Sequence, residues 1–401
     1  MTATKPTAAE LMELEDRWGA HNYHPLPIVV ERAEGVWVYD ADGRRYLDCL
    51  SAYSAVNQGH GHPRLIAALI EQAQRVTLTS RAFRNDQLPL FCSELAQLCE
   101  MDAVLPMNTG AEAVETAIKA ARRWGYVKKK IPADKARIIA CEGNFHGRTT
   151  TIVGFSSEAS YRKDFGPFAP GFDLVPFGDL AALEKAITPD TCAFLFEPIQ
   201  CEAGILIPRD GYLRAAAELC RSKNVLVIAD EIQTGLGRTG LRFACDHEGV
   251  KPDLYVLGKA LSGGCYPVSA VVGSREVIDL FGPGSHGSTY GGNPLGCAVA
   301  RAALAILEEE ELADRSAELG AHLLARLGKI RNRHVKEIRG RGLLVGIELD
   351  VPARSYCERL MRLGVLCKET HDFVLRLAPP LVIDRADLDW GIDRILEVFS
   401  S

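Results

Sequence analysis

A lysine and an aspartate in this sequence each follow a short apolar run with the composition of a buried strand. Lys259 comes just after the run 254–257, and Asp230 directly follows the run 225–229. In an open α/β sheet, residues at the carboxyl ends of strands face one ligand crevice. A lysine can form a Schiff base and an aspartate can hold a pyridinium nitrogen, so the pair predicts a pyridoxal phosphate site. An acid that merely caps the next element is the alternative for Asp230.

Two glycine-containing segments have the composition of phosphate-binding loops. Asn108–Ala113 opens a predicted helix, and Gly110 would let an anion approach free backbone N–H groups there. A simple helix cap by Thr109 is an equal alternative. His286–Gly292 combines glycines with hydroxyl groups, including that of Thr289, and a plain flexible loop is its alternative.

Two further loops carry groups suited to a flat, anionic ligand. In Glu142–Thr149, Phe145 can stack on a heterocycle and Arg148 can bind a carboxylate through two hydrogen bonds. A surface loop with a buried phenylalanine is the alternative. Glu197–Gly204 leaves a predicted strand with two acids, of which Glu202 either faces the crevice or is a solvated loop carboxylate.

Charge and composition argue against several other classes of protein. The net charge is −6 and the pI is about 6.0, so nothing favours a nucleic-acid partner. No segment approaches the roughly 20 apolar residues of a membrane span, so we expect no membrane association. His60 and His62 lack a suitably spaced third ligand, so we expect no metal site. Twelve scattered cysteines without a C-x-x-C pair, and an acidic N-terminus, indicate a reduced, cytoplasmic protein.

The order of the apolar runs predicts an α/β fold. From residue 137 to 272 short runs alternate with helical patterns, which indicates βαβ units and a mostly parallel sheet flanked by helices. The last two runs are so close together that one strand could be antiparallel. The predicted strands of this region are Arg137–Cys141, Phe172–Pro176, Cys192–Phe196, Val225–Asp230, Leu254–Leu257 and Val268–Val272.

The regions on either side of this sheet differ in pattern. An arm with a short helix (1–35) and a hairpin (36–47) precede predicted helices at 63–76, 86–100 and 110–126. A helical stretch from 294 to 330, broken near Glu310, leads to strands at 342–349 and 374–377 and to a final helix from about 386. We therefore expect a large domain at 56–295, and a smaller α+β domain formed by 1–55 and 296–401.

Taken together, the ordered set resembles the class III, or ω-, aminotransferases, which are fold-type I pyridoxal-phosphate enzymes. The similarity runs from about Gly19 to the C-terminus. Three segments resemble the ornithine-specific members in particular, and a fourth resembles the wider class: His21–Pro27, Tyr53–His60, Leu78–Phe83 and, for the class, His286–Gly296.

The resemblance implies a set of cofactor contacts. Lys259 would form the Schiff base and then shuttle a proton, and Asp230 would keep the pyridine nitrogen protonated. Gln233 would hydrogen-bond near the phenolic oxygen of the cofactor, and Phe145 would stack on its ring.

The resemblance also implies an assembly. Gly110 and Ala111 would donate backbone N–H groups to the phosphate. Thr289 would reach the phosphate of the neighbouring subunit, which implies a homodimer with shared active sites.

The implied reaction transfers the terminal amino group of L-ornithine to 2-oxoglutarate. Arg376 would bind the α-carboxylate of 2-oxoglutarate, and Glu202 would neutralise Arg376 while ornithine is bound. Arg148 would hold the distal carboxylate, Tyr23 would help to hold that of ornithine, and Tyr53 would shape the pocket. The products would be L-glutamate and glutamate 5-semialdehyde, which cyclises to pyrroline-5-carboxylate.

Two residues depart from the ornithine pattern. Cys201 replaces an expected glycine before Glu202, and His146 replaces a bulky aromatic and is more typical of acetylornithine enzymes. An ω-aminotransferase for acetylornithine, 4-aminobutyrate or lysine therefore stays open as an alternative. An aminomutase or racemase, and a non-catalytic protein of the same fold, are further alternatives.

Overall fold

The computed structural model describes residues 5–400, so the first four residues of the predicted arm lie outside the described part. The described residues form fifteen strands. In chain order they are β1 (Val30–Glu34), β2 (Trp37–Asp40), β3 (Arg45–Asp48), β4 (Ala103–Met107), β5 (Arg137–Cys141), β6 (Phe172–Val175), β7 (Thr191–Phe196), β8 (Leu226–Asp230), β9 (Leu254–Leu257), β10 (Ser269–Gly273), β11 (Val335–Arg341), β12 (Leu344–Leu349), β13 (Val365–Leu366), β14 (Lys368–Thr370) and β15 (Val374–Leu377).

Two 3₁₀ helices, Ala244–Glu248 and Lys259–Ser262, and fourteen α-helices accompany these strands within residues 5–400. In chain order the α-helices are α1 (Ala8–Trp18), α2 (Ser51–Ser54), α3 (Pro63–Arg75), α4 (Gln87–Leu98), α5 (Gly110–Val127), α6 (Thr150–Gly154), α7 (Ala159–Arg162), α8 (Leu180–Ala186), α9 (Tyr212–Ser222), α10 (Arg275–Ile278), α11 (Pro294–Glu309), α12 (Leu312–Leu327), α13 (Arg354–Arg362) and α14 (Arg385–Ser400). None of these helices is both long enough and apolar enough to span a membrane.

The central sheet has seven strands in the order β4-β10-β9-β8-β7-β5-β6. Neighbouring strands from β9 to β6 run parallel, whereas β10 is antiparallel to both β4 and β9. Every residue of β7, β8, β9 and β10 is buried, because helices cover both faces of the sheet. This burial explains the continuous apolar runs of the sequence, and the predicted α/β sheet with one antiparallel strand is confirmed.

Two four-stranded sheets lie outside the central one, in the orders β1-β2-β3-β13 and β11-β12-β15-β14. The hairpin predicted at 36–47 corresponds to β2 and β3. The predicted break near Glu310 is also present, since α11 ends at Glu309 and Glu311 adopts a left-handed φ of 51°.

The sequence pattern missed several edge strands. β1 falls within the predicted arm, yet it pairs with β2, and four of its five residues are exposed. β11 reads Val-Lys-Glu-Ile-Arg-Gly-Arg, too charged to resemble a buried strand, and β13 has only two residues. Such strands are specified by pairing with distant partners and have little local signal of their own.

Candidate active site

One cavity opens at the carboxyl ends of the central parallel strands and at the start of α5. Six of the seven residues predicted to bind the cofactor line it together: Gly110, Ala111, Phe145, Asp230, Gln233 and Lys259. The seventh, Thr289, is exposed and does not line the cavity within one chain.

Lys259 begins a short 3₁₀ turn directly beyond β9 and has a left-handed φ of 45°. Non-glycine residues rarely adopt this conformation, and it concentrates at functional sites. Burial lowers the pKa of the Lys259 ammonium, while the charge of Asp230 acts in the opposite direction. A buried lysine that gives up its proton more readily is suited to attack a carbonyl carbon.

Asp230, the last residue of β8, is only 4% exposed, and both of its oxygens are held. Oδ1 accepts the backbone N–H of Ile232 at 3.1 Å, and Oδ2 lies 2.7 Å from Nδ1 of His146. A cofactor nitrogen is the only partner that the sequence predicts for this buried acid, and the contact with His146 is additional to it. The two residues are 84 positions apart, but β5 and β8 end at the same edge of the sheet.

A second buried acid, Glu197, follows β7 and lines the same cavity. Its Oε2 accepts the backbone N–H of Phe145 at 3.0 Å, which fixes the loop that carries this ring. Burial and the negative charge of Asp230 raise the pKa of Glu197 well above its usual range. The site therefore contains two buried carboxyl groups: Asp230, with a contact to each oxygen, and Glu197, with a raised pKa.

The start of α5 combines a helix cap by Thr109 with free backbone N–H groups, the two alternatives that the sequence allows for this segment. Thr109 caps the helix by accepting the N–H of Glu112 at 3.3 Å, and Glu112 binds the N–H of Thr109 in return at 2.8 Å. The N–H groups of Gly110 and Ala111 belong to the first turn, where a helix provides no acceptor of its own. A Cβ at Gly110 would lie 2.9 Å from Cδ1 of Ile232, so close packing favours glycine here.

Arg376 on β15 forms the centre of a second group at the cavity. It is 1% exposed, and its Nη1 donates to Oε1 of Glu202 at 3.1 Å and to Oε1 of Gln233 at 2.9 Å. Nη2 donates to the Ser54 hydroxyl at 3.3 Å, and Nε2 of Gln233 donates to Glu202 at 3.2 Å. The predicted Arg376–Glu202 pair is therefore present, and the amide of Gln233 bridges it.

Ser54 and Tyr53 belong to α2, which is a left-handed turn. Its four residues have φ values of 49°, 47°, 60° and 70°, a conformation that costs about 1–2 kcal/mol per residue. Asp48 holds the start of the turn by accepting two backbone N–H groups through Oδ1 at 2.8 and 2.9 Å. The Tyr53 ring centroid then lies 5.5 Å from Cζ of Arg376. The strained turn thus places an aromatic ring and a hydroxyl beside the arginine.

Arg148 and Tyr23 lie in less enclosed positions. Cζ of Arg148 lies 3.5 Å from the ring centroid of Tyr161 and 5.5 Å from that of Phe145. No motif in the sequence marks Tyr161, which lies in the short helix α7. Tyr23 is 76% exposed, whereas Tyr53 is partly enclosed and burial raises its pKa.

Cys201, the residue before Glu202, is fully buried. It packs in a small apolar cluster with Ile199 and Ile205. The Thr370 hydroxyl donates to the backbone oxygen of Glu202 at 2.8 Å and so fixes the loop.

Comparison with known proteins identifies the family to which this chain belongs. The family model described as "Aminotransferase class-III" matches residues 18–399. The chain belongs to the class III aminotransferases. A class III relative, ornithine aminotransferase of Brevibacillus brevis, is 60% identical over 388 residues that cover 97% of each chain.

Solved class III structures have the same fold. The ornithine aminotransferase of Toxoplasma gondii superimposes with a TM-score of 0.98 at 46% identity, covering 99% of this chain and 96% of that one. The acetylornithine aminotransferase of Elizabethkingia anophelis superimposes with a TM-score of 0.91 at 45% identity, covering 99% and 100%.

Proposed function

We propose that this class III aminotransferase transfers the terminal amino group of L-ornithine to 2-oxoglutarate with pyridoxal 5′-phosphate as cofactor. The products are L-glutamate and glutamate 5-semialdehyde, which cyclises to pyrroline-5-carboxylate. The observation that carries the proposal is the Arg376–Glu202 pair, at 3.1 Å, near the cavity that contains Lys259 and Asp230. Relatives named ornithine aminotransferase, 59–60% identical over nearly the whole chain, support it.

The residues of the cavity fit the cofactor. Lys259 offers an amine with a lowered pKa, Asp230 a buried carboxylate, and the first turn of α5 free N–H groups for a phosphate. The bound cofactor supplies an electron sink for the substrate carbon that loses its proton. We assign to Lys259 the attachment of the cofactor and the transfer of that proton, and to Asp230 the hold on the pyridine N–H.

The remaining cofactor contacts are assigned to other residues that line the cavity. Phe145 lines the cavity in a loop fixed by Glu197, and we propose that its ring stacks on the cofactor. Gly110 and Ala111 bind the phosphate through their N–H groups. Gln233 has both ends of its amide engaged by Arg376 and Glu202, so its contact near the phenolic oxygen would link the cofactor to the specificity group.

Substrate choice depends on whether Arg376 is neutralised. L-Ornithine must react at its terminal amine, whereas L-glutamate reacts at its α-amine, beside a carboxylate. With Glu202 paired to Arg376, the site offers no free cation next to the reacting carbon, which suits a terminal CH₂–NH₂ group. With Glu202 displaced, Arg376 binds the α-carboxylate of 2-oxoglutarate bidentately. Arg148 holds the distal carboxylate in this scheme.

The ornithine half of the scheme uses two tyrosines. Tyr23 helps to bind the ornithine carboxylate, and Tyr53 limits the width of the pocket beside Arg376. Each tyrosine belongs to one of the three segments that resemble the ornithine-specific family members.

The assembly and location complete the proposal. We propose a cytoplasmic homodimer in which the exposed Thr289 reaches the phosphate site of the partner subunit. All twelve cysteines are free thiols, as expected in a reducing compartment. We also propose a division into a large domain, 56–295, which contains the central sheet, and a small domain formed by 1–55 and 296–401.

Formation of pyrroline-5-carboxylate tests the function directly. Purified protein loaded with pyridoxal phosphate should form it over many turnovers only when both L-ornithine and 2-oxoglutarate are present, and L-ornithine alone should give at most one equivalent per site. Lys259→Ala should abolish turnover while leaving the fold intact by circular dichroism. Turnover of L-ornithine without a 2-oxo acid would instead indicate a mutase or racemase, and unimpaired turnover by Lys259→Ala would contradict the assignment of the lysine.

A further inference from the structure

The loop that carries Glu202 packs on the outer sheet formed by β11, β12, β15 and β14. This Glu202 loop, residues 200–206, is closed at its base by two backbone hydrogen bonds between Gln200 and Leu206, at 3.0 and 2.9 Å. Within it, Ile205 is 0% exposed and has a left-handed φ of 56°. A β-branched residue rarely adopts this conformation, so the loop depends on its surroundings to keep its shape.

Arg339 and Arg376 lie in one cross-strand row of this sheet. Arg339 on β11 pairs with Gly346 on β12, and Gly346 pairs with Arg376 on β15. Directly paired residues project from the same face of a sheet, and residues two strands apart are separated by about 10 Å. A Cβ at Gly346 would lie 3.4 Å from both Cβ and Cδ1 of Ile205. The glycine therefore leaves room for the Glu202 loop to pack between the two arginines.

Arg339 holds the Glu202 loop by its backbone. Its Nη2 donates to the carbonyl oxygen of Gly204 at 2.6 Å, and its Nε donates to those of Gly204 and Ile205 at 3.2 and 3.0 Å. The side chain is 10% exposed, and Nη1 forms ion pairs with Glu337 at 2.8 Å and with Glu348. The planar guanidinium group can bind two successive carbonyls in this way, whereas the single ammonium group of a lysine cannot.

The Glu202 side chain of the same loop binds Arg376. Oε1 of Glu202 accepts from Nη1 of Arg376 at 3.1 Å, and the backbone oxygen of Glu202 accepts from the Thr370 hydroxyl at 2.8 Å. Glu202 is only two residues before Gly204, whose carbonyl Arg339 holds. Because the loop is short and closed, a shift of the backbone at Gly204 also moves the carboxylate of Glu202.

We propose that Arg339 is a positioning residue that influences substrate choice by fixing the backbone from which Glu202 reaches Arg376. While Arg339 holds the carbonyls of Gly204 and Ile205, the paired arrangement that suits a terminal amine is favoured. Without Arg339 the strained loop relaxes, and Glu202 leaves Arg376 more readily, which favours substrates with an α-carboxylate. The inference rests on the proposed function, in which Glu202 neutralises Arg376.

A double-mutant cycle between Arg339 and Glu202 tests whether one residue acts through the other. The measured quantity is the ratio of kcat/KM for L-ornithine to that for L-glutamate, obtained from the loss of cofactor absorption in single turnovers. Arg339→Gln removes the charge and is too short to reach both carbonyls. Glu337→Gln is the matched control, because it removes an exposed ion-pair partner of Arg339 and none of the hydrogen bonds to the loop. Circular dichroism verifies folding.

Arg339→Gln should lower the ratio about tenfold, the lower end of the range for loss of a hydrogen bond from a charged group, because Thr370 still holds the loop. The kcat/KM for L-ornithine should fall, and that for L-glutamate should not. In a Glu202→Gln background the same substitution should change the ratio less than about twofold, because no carboxylate remains to be positioned. Glu337→Gln should stay within about twofold of the unaltered protein.

Amide hydrogen exchange supplies a measurement that is independent of turnover. The N–H groups of Gly204, Ile205 and Leu206 bind backbone oxygens within the Glu202 loop. They should exchange faster in loaded Arg339→Gln, before substrate is added, than in the unaltered protein. If Arg339→Gln does not fold, Thr370→Val replaces it, because it removes the other hydrogen bond to the loop at nearly constant size. Thr370→Val should lower the ratio about threefold, the effect of losing a neutral hydrogen bond.

An unchanged ratio in Arg339→Gln, or in Thr370→Val where it replaces that variant, would overturn the inference. An equal effect of Arg339→Gln with and without Glu202 would also overturn it, because the arginine would then act through general packing. Glu202→Gln separates these failures from that of the proposed function. If Glu202→Gln alone lowers the ratio, only the role of Arg339 fails. If it leaves the ratio unchanged, the role of Glu202 fails and the inference fails with it.

Discussion

Replacement of Glu202 by glutamine should shift the preference of the protein from terminal amines toward α-amines. Glu202 is the carboxylate paired with Arg376, at 3.1 Å, and the arginine is 1% exposed. Glutamine keeps the size of the side chain but removes the negative charge. Arg376 is then a buried cation held by the neutral oxygens of Gln233 and Ser54, and it attracts the α-carboxylate of any amino acid that enters.

The size of the effect follows from the contact that is lost. A hydrogen bond to a charged group contributes about 1.5–3 kcal/mol, and every 1.4 kcal/mol corresponds to a factor of about ten. The ratio of kcat/KM for L-ornithine to that for L-glutamate should therefore fall about tenfold to a hundredfold. Ser54 and Gln233 keep Arg376 in position, so the change should affect specificity more than folding.

Single-turnover kinetics measure this ratio without interference from the second substrate. The loaded protein is mixed with L-ornithine or with L-glutamate, and the loss of visible cofactor absorption is followed over a range of concentrations. Asp173→Asn is the matched control, because it disrupts the Arg137–Asp173 ion pair at the edge of the central sheet. An unchanged ratio in Glu202→Gln would refute the assignment of Glu202 as the residue that neutralises Arg376.

Two predictions concern stability. Burial raises the pKa of Glu231 from 4.5 to about 7, so between these pH values the native state binds more protons than the unfolded state and stability falls as pH rises. Glu231→Gln has no group that titrates at this position. Between pH 4.5 and 8 the free energy of urea unfolding of the unaltered protein should therefore fall by up to about 3 kcal/mol relative to that of Glu231→Gln. Parallel pH profiles for the two proteins would contradict the prediction. Gly320→Ala should destabilise the protein by about 3 kcal/mol despite the higher helix propensity of alanine, because its Cβ would lie 2.2 Å from the backbone of Gly342. Gly282→Ala, where the added Cβ meets no atom within 4 Å, should change thermal and urea stability by less than about 0.5 kcal/mol, and equal effects of the two alanines would be inconsistent with the packing described.

The features that could be predicted from the sequence are those that depend on residues close together in the chain. Lys259 and Asp230 follow apolar strands, and the carboxyl ends of parallel strands must meet at one edge, so their convergence was predictable. The cap at Thr109 likewise follows from residues three positions apart. The role of each residue in the reaction, by contrast, rests on family resemblance and on the proposals above.

The features that the sequence did not predict depend on distant partners. His146 meets Asp230 only after β5 and β8 take their places in the sheet. The left-handed turn Ser51–Ser54 contains no glycine, so propensity gives no sign of it. It is fixed by Asp48 and by a hydrogen bond from the Ser51 hydroxyl to the backbone of Ala378, more than 300 residues away.

The central claim is that this site reacts with the terminal amine of L-ornithine while Glu202 covers Arg376. The most direct measurement is the visible absorption of the cofactor-loaded protein, titrated in parallel with L-ornithine and with Nα-acetyl-L-ornithine. We expect L-ornithine to bleach the band at the lower concentration and 2-oxoglutarate to restore it. Stronger bleaching by the acetylated compound would retain the family and the cofactor but contradict the assignment of L-ornithine as the substrate.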